Sequence, residues 1–259
     1  MPNGTPGTTP QGISDEKQAA AWVQSMFGGI ARHYDFLNHL LSFNLDRYWR
    51  HRTIRRLRRE LPSGGRILDL CCGTGDLLVG LEREFGRPAV GADFCYPMLT
   101  AARSKLDRKR MRSTLVEADG LRLPLRDDSL DAITIGFGFR NFANYRRGLA
   151  EMGRVLKPGG IVAILEFSQP QTRPLAALYD WFSTRILPRI GGAVSGSSQA
   201  YSYLPESIRK FPDAPQLADE MRSAGYARVE YERMTGGIVA LHLGWKATAP
   251  NLPGAVQHS

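Results

Sequence analysis

Short apolar runs recur through the middle of the chain, at "RILDL" (66–70), "AVGAD" (89–93), "TLVEA" (114–118), "LDAITIGFG" (130–138) and "IVAILEF" (161–167), with stretches of helical period between most of them. Apolar strands alternating with helices predict a doubly wound α/β sheet. Upstream, residues 18–60 read as mainly helical, with a break at "SFNLD". Downstream, "ARVEYERM" and "GIVALHLGWK" flank "TGG" and predict a hairpin whose last strand runs antiparallel to the rest. No internal repeat interrupts this order.

A strand-to-helix connection normally takes a handful of residues, yet a long segment rich in aromatic residues and prolines separates Phe167 from "QLADEMRSAG". It reads as an insertion with structure of its own, over about 168–215, and its place beyond a strand's carboxyl end makes it a lid. Tyr179, Trp181, Phe182, Tyr201, Tyr203 and Phe211 are expected to form a satellite core within it and to line what it covers.

With 259 residues and 42% hydrophobic content, the chain can bury the core of one large domain. That domain is expected over 18–246, between a polar, disordered leader (1–17) and a flexible tail (247–259). The longest clean apolar run, "IVAIL", is too short to cross a bilayer, so any membrane contact is peripheral. Three cysteines without disulfide or zinc-ligand spacing point to the cytoplasm and to no metal site. The net charge is +9 and the pI near 9.7, which implies an anionic partner, nucleic acid or acidic lipid. Much of the excess lies in "RYWRHRTIRRLRRE" (47–60), read either as a solvated helix face or as a membrane-docking one.

The chemistry starts at "LDLCCGTGDL" (68–77), a strand turning into a helix through Gly73 and Gly75. A dinucleotide cradle needs a third glycine where Leu78 stands, and a triphosphate site needs a P-loop lysine, which is missing. S-Adenosyl-L-methionine needs close backbone approach and carboxylates instead. Asp69 is placed for the methionyl ammonium, Thr74 and Gly75 for backbone contact, Asp93 for the ribose hydroxyls, and Asp119 with Gly120 for the adenine edge. An aspartate at a strand end is commonly a cap or turn former, but three successive strand ends favour cofactor binding.

"ILDLCCGTGD", "ADFCYPML", "ITIGFGFRNF", "EMGRVLKPGGIVAILEFSQP", "YLPESIRKFPD" and "TGGIVALHLGWK" together resemble the ubiquinone/menaquinone biosynthesis C-methyltransferase family, among the class I S-adenosylmethionine-dependent methyltransferases. The resemblance runs from "FGGIARHYDFLNHLLSF" to Lys246; the first motif is generic, whereas "GFRNF" and "YLPESIRKFPD" are specific to the family. It implies a Rossmann-like methyltransferase sheet with N-terminal helices, a helical lid and an antiparallel last strand. It implies cofactor contacts at Thr74, Asp93, Asp119, Gly120 and Gly136. Family members often carry serine where this chain has Gly136, so only backbone can serve there.

The implied reaction moves a methyl to a ring carbon of a polyprenylated quinol, made nucleophilic when an adjacent hydroxyl loses its proton. Arg140 is read as stabilising the phenolate and Asn141 as orienting an oxygen, against the simpler roles of local ion pair and helix cap. Tyr34, in "ARHYDFLN", is read as a lid contact, and His33, Asp35 and His242 are weaker base candidates. The fourth strand carries neither the Asp/Asn-Pro-Pro-aromatic motif of base-amino methyltransferases nor a nucleophilic cysteine, so nucleic acid is not the expected partner. Demethylmenaquinol is the favoured substrate, with a methoxy-polyprenyl-benzoquinol, or both, as the alternative. A nicotinamide oxidoreductase and a non-catalytic cofactor-binding module are the readings from other classes. An anionic membrane and a second copy, as a homodimer, are the further partners allowed.

Overall fold

The computed structural model describes residues 7–31, 34–61, 65–186 and 198–248. Seven strands form one sheet in the order β3-β2-β1-β4-β5-β7-β6. The strands β1 (Ile67–Leu70), β2 (Val90–Asp93), β3 (Thr114–Glu117), β4 (Leu130–Gly136) and β5 (Leu156–Phe167) pair in parallel. β7 (Val239–Lys246) runs antiparallel to both β5 and β6 (Tyr226–Met234). The expected strands and hairpin are all present. β5 begins earlier than "IVAIL" suggests, because Leu156 already pairs with Leu130 ahead of the Pro-Gly-Gly irregularity.

The period-2 alternation of β5 explains the two-sided core. Ile161, Ala163 and Leu165 face Trp49, Ile54 and Leu57 of α3 (Leu45–Glu60) and Leu77, Leu78 and Leu81 of α4 (Asp76–Phe85). Val162 and Ile164 face Leu149 and Met152 of α6 (Tyr145–Val155) and Leu217 and Met221 of α9 (Ala214–Ser223). Each such Ile, Leu, Val or Met side chain, fully buried, contributes about 1.5–3 kcal/mol. α9 starts at a capping box in which Asp213 and Gln216 satisfy each other's backbone N–H.

The helical N-terminal region comprises α1 (Glu16–Ile30), α2 (Tyr34–Leu41) and α3, with the break falling at Phe43 and Asn44, both left-handed at φ 52° and 61°. α5 (Tyr96–Arg108) follows β2. The insertion contributes α7 (Arg173–Trp181), a π-turn over Phe182–Ile186, and α8 (Ser198–Lys210). The leader departs from expectation over its second half. Thr8 and Pro10 are buried, Thr8 donates its backbone N–H to the Phe142 carbonyl at 2.8 Å, and Asp15 caps α1. A Cβ on Gly7 would overlap the Ala143 carbonyl, so this part of the chain lies flush against the domain.

Candidate functional site

β1, β2 and β4 end side by side, and the backbone turns sharply at each end. Gly73 and Gly75 take φ 53° and 86°, conformations that an L side chain resists, and Gly75 leads directly into α4. At the end of β4, Phe137 is itself left-handed at φ 62°. A Cβ on Gly138 would stand 2.4 Å from that of Cys71, so the β1 and β4 loops meet only because glycine is there. A cavity of about 370 Å³ opens above these turns. Of the residues expected at a cofactor site, Gly73, Asp93, Asp119, Gly120 and Gly136 line it, together with Asn141 and Tyr34.

The carboxylates here are short of cations. Asp93 accepts the Gly73 N–H on one oxygen at 2.8 Å and the Cys95 N–H on the other at 2.9 Å, which aims it across the cavity. Asp69 lies beneath the lining, where Thr134 Oγ1 donates to it at 2.7 Å while its second oxygen has no partner. Burial pushes Asp69 up to about 7 and Asp93 up to about 6, and neither has a salt-bridge partner among the described residues. A cationic ligand that also offers hydroxyls fits this donor set. Asp119 accepts the Leu121 N–H at 2.9 Å, and a Cβ on Gly120 would strike the Phe142 ring, so that edge is closed to a larger residue. Cys71 also lines the cavity, but burial, aided by Asp93 and Asp69, pushes its thiol well above the ordinary range and keeps it from acting as a thiolate.

A second cavity, about 410 Å³, adjoins the first, and Phe27, Tyr34 and Phe137 line both. Its other walls are mostly apolar: Trp49 and Phe167 stack around Phe137, and Leu175, Leu178, Tyr179, Trp181, Phe182, Tyr203 and Leu204 come from the insertion. Of the six aromatic residues expected there, Phe211 instead packs on Phe139 and Tyr145, and the Tyr201 side chain lies outside the described residues. Phe43, Leu178 and Trp181 are 75%, 60% and 55% exposed, an apolar rim around the mouth.

Arg140 lines this second cavity from a short 3₁₀ turn after β4. Its guanidinium pairs with Glu166 at 3.0 Å and donates to the Phe137 carbonyl and to Ser207. Glu166 in turn accepts the backbone N–H of Arg140 and of Phe167, and is 1% exposed. Arg140 is thus both cavity-lining and paired with a local carboxylate. Asn141 caps no long helix; the cap of α6 is Asn144, and Asn141 accepts the Tyr203 hydroxyl at 3.0 Å. Sequence reasoning missed Glu166, because its partner is distant in the chain and adjacent only across β4 and β5. It also missed Gln24 and Phe27, which bring α1 over the first cavity.

Thr74 and Gly75 shape the turn without lining the cavity. The Thr74 hydroxyl donates to Asp35, and buried Lys105 bonds Thr74 at 3.3 Å and pairs with Asp35 at 2.6 Å and with Asp76. This latch ties α2, and so Tyr34, to the Gly turn. Among the described residues, one cluster has metal-ligand proximity, His39 with Asp46 and Asp76. Arg50 and Lys105 already neutralise its two carboxylates, so a further cation has little to gain. His242 is 2% exposed on the far side of β5, its Nε2–H donating to the Ala214 carbonyl at 2.8 Å, and lines neither cavity. It is structural. His33 lies outside the described residues.

The model of the ubiE/COQ5 methyltransferase family matches residues 12–246. A protein from Thermus thermophilus named demethylmenaquinone methyltransferase is 46% identical over 85% of this chain and 99% of its own length. One of the same name from Deinococcus radiodurans is 43% identical over 90% of this chain and 96% of its own. A solved S-adenosylmethionine-dependent methyltransferase from Thermotoga maritima, described as a possible histamine N-methyltransferase, superposes with a TM-score of 0.58 at 17% identity. That alignment covers 85% of this chain and 99% of the other, and at such identity it speaks to the fold alone. The paired cavities, the glycine turns and the extent of the family match place this chain in the ubiE/COQ5 methyltransferase family, enzymes that use S-adenosyl-L-methionine.

Proposed function

We propose that the chain transfers a methyl from S-adenosyl-L-methionine to a ring carbon of a polyprenylated quinol, demethylmenaquinol, giving menaquinol. The single observation that carries this is the meeting of two unlike cavities at Phe27, Tyr34 and Phe137, the more polar one walled by Asp93 and Asp119 and the more apolar one with an arginine in its wall. The naming of both relatives supports the naphthoquinol over the benzoquinol alternative, and family membership sets the oxidoreductase reading aside.

Within this reading, Asp93 takes the ribose hydroxyls, the buried charge of Asp69 beneath the lining favours the methionyl ammonium, Asp119 and Gly120 take the adenine edge, and Gly136 the methionyl part by backbone. The bound cofactor supplies an electrophilic methyl on a sulfonium. Tyr34 and Phe137 hold the quinol ring against that methyl, and the closed apolar wall keeps water out. Arg140 stabilises the phenolate left when the ring hydroxyl gives up its proton to water, and Asn141, oriented by Tyr203, fixes that oxygen; after the displacement the methylated carbon releases its hydrogen as a proton, which restores the hydroxyl and the aromatic ring. The isoprenoid tail leaves through the rim at Phe43, Leu178 and Trp181 into lipid, and the outward face of α3, with Arg47, Arg55, Arg58 and Arg59 exposed, attracts anionic headgroups.

The test is methyl transfer from isotopically labelled cofactor, with reduced demethylmenaquinone and the reduced benzoquinone precursor offered separately in detergent. Label on the naphthoquinol alone is expected. Label on the benzoquinol alone, or on neither despite cofactor binding, overturns the assignment.

A further inference from the structure

The quinol cavity has two polar poles. One is Arg140 with Tyr203; the other lies where α2 meets α3, formed by Asn38, Ser42, Asp46 and Arg50. Asp46 is the one carboxylate lining this cavity among the described residues, and it is 3% exposed. On Oδ2 it accepts from Arg50 and is bonded to His39 Nδ1 at 2.8 Å; on Oδ1 it accepts the Ser42 hydroxyl at 2.8 Å. A carboxylate oxygen takes two hydrogen bonds, so Oδ1 has capacity for one more donor. The Arg50 guanidinium lies 5.3 Å from the centre of the Phe137 ring, on the partition between the cavities. The Tyr34 hydroxyl, bonded to Asn38, feels both Arg140 and Arg50. The two poles therefore flank one space beside the cofactor cavity.

A 1,4-hydroquinol carries O–H donors on opposite sides of its ring, whereas the oxidised quinone carries two carbonyl acceptors. We propose that Asp46, held by Arg50, His39 and Ser42, selects the reduced quinol over the oxidised quinone by accepting a hydrogen bond from the ring hydroxyl remote from Arg140. Facing a hydroxyl, the carboxylate gains a charge-assisted bond. Facing a carbonyl, it sets lone pair against lone pair with a buried charge left short of a donor, and sites built to bond a hydroxyl reject analogues lacking it by large factors. Only the reduced ring is nucleophilic, so this selection keeps the unreactive member of the redox couple from occupying the cavity.

The inference rests on the quinol reading above, and the experiment separates the two. Full-length protein saturated with S-adenosylhomocysteine, which prevents turnover, is titrated calorimetrically without oxygen. The titrants are a short-tailed demethylmenaquinone, oxidised in one series and dithionite-reduced in the other. The native protein is expected to bind the reduced form about 100-fold more tightly. In Asp46→Asn, whose amide can donate to a carbonyl, the preference is expected to collapse to within about threefold, mainly through tighter quinone binding. Asp46→Ser is expected to lose the preference as well, while Ser42→Ala, which leaves the carboxylate, retains it. S-Adenosylhomocysteine affinity certifies each variant's fold, since Asp46 does not line that cavity. Equal affinity of the native protein for both redox forms overturns the inference, as does a preference that survives in either folded Asp46 variant. Binding of neither form overturns the quinol reading itself.

Discussion

Single residues in this protein carry charges that the fold has deliberately left unbalanced or fully balanced, and the difference separates binding from support. Asp69 and Asp93 sit near 7 and near 6 because burial is uncompensated. Their deprotonated forms suit a cationic, hydroxyl-bearing cofactor, so affinity for S-adenosyl-L-methionine should rise between pH 5 and pH 8, by up to about tenfold per unit for each group still titrating. Calorimetric titration across that range checks it, and a flat profile contradicts it. Arg140 and Glu166, by contrast, neutralise each other out of water. Glu166→Gln should leave cofactor affinity intact, lower turnover by about 10²-fold and cost about 3–5 kcal/mol of stability, read by single-turnover kinetics and urea unfolding. Burial also holds His242 down at about 4, below its ordinary 6.5, so the fold accepts only neutral imidazole. The unfolded chain protonates first. Stability from this group is therefore complete above about pH 6.5 and falls by about 3 kcal/mol as pH drops towards 4, a slope that His242→Gln should flatten in urea melts. Arg140 stood out in the sequence because "GFRN" follows a strand; Glu166 did not, because its partner is 26 positions away and only sheet pairing joins them.

The elements themselves were legible to different degrees for physical reasons. Strands buried on both faces declare themselves as apolar runs, and β1, β2, β4 and β5 lie where those runs fall. The turns at Gly73 and Gly75 are legible because positive φ selects glycine. The break between α2 and α3 fell inside "SFNLD" as expected, but the way α3 divides its charges was not legible. "RYWRHRTIRRLRRE" reads as one arginine-rich face, yet the structure divides its arginines: Arg50 turns inward to Asp46, Arg52 and Arg56 pair with Glu232 and Glu230 of β6, and Arg47, Arg55, Arg58 and Arg59 remain outward. That division separates two contributions to membrane contact. Trp181→Asp with Phe43→Asp should abolish association with neutral and anionic vesicles alike. Arg55→Gln with Arg59→Gln should weaken only anionic binding at low salt, by about 1 kcal/mol per charge. Vesicle flotation distinguishes them, and equal loss on both lipid types in the arginine variant contradicts the scheme.

Across the whole molecule, pieces far apart in the chain converge on one partition. The leader, expected to be disordered through residue 17, is tied down from Gly7, and its Thr8 hydroxyl bonds the Tyr203 hydroxyl at 2.7 Å, the same group that holds Asn141. A polar, Gly- and Thr-rich composition signals disorder only while those groups face water; here Thr8 bonds Tyr203 and Phe142, and Thr9 accepts from Lys210. The aromatic insertion and Tyr34 of α2 supply walls the sequence already pointed to, whereas Gln24 and Phe27 of α1 reach the site only through packing that no local pattern reveals. Three side chains, Phe27, Tyr34 and Phe137, belong to both chambers, and the thiol that lines the first, Cys71, is held protonated. Burial keeps the Tyr34 hydroxyl protonated as well, so none of these three side chains offers an anionic nucleophile, and the carbon is expected to pass from sulfur to ring in a single displacement with both partners present. Initial velocities measured against both substrates should then give intersecting lines. A methyl made chiral with three hydrogen isotopes should arrive on the ring with its handedness reversed.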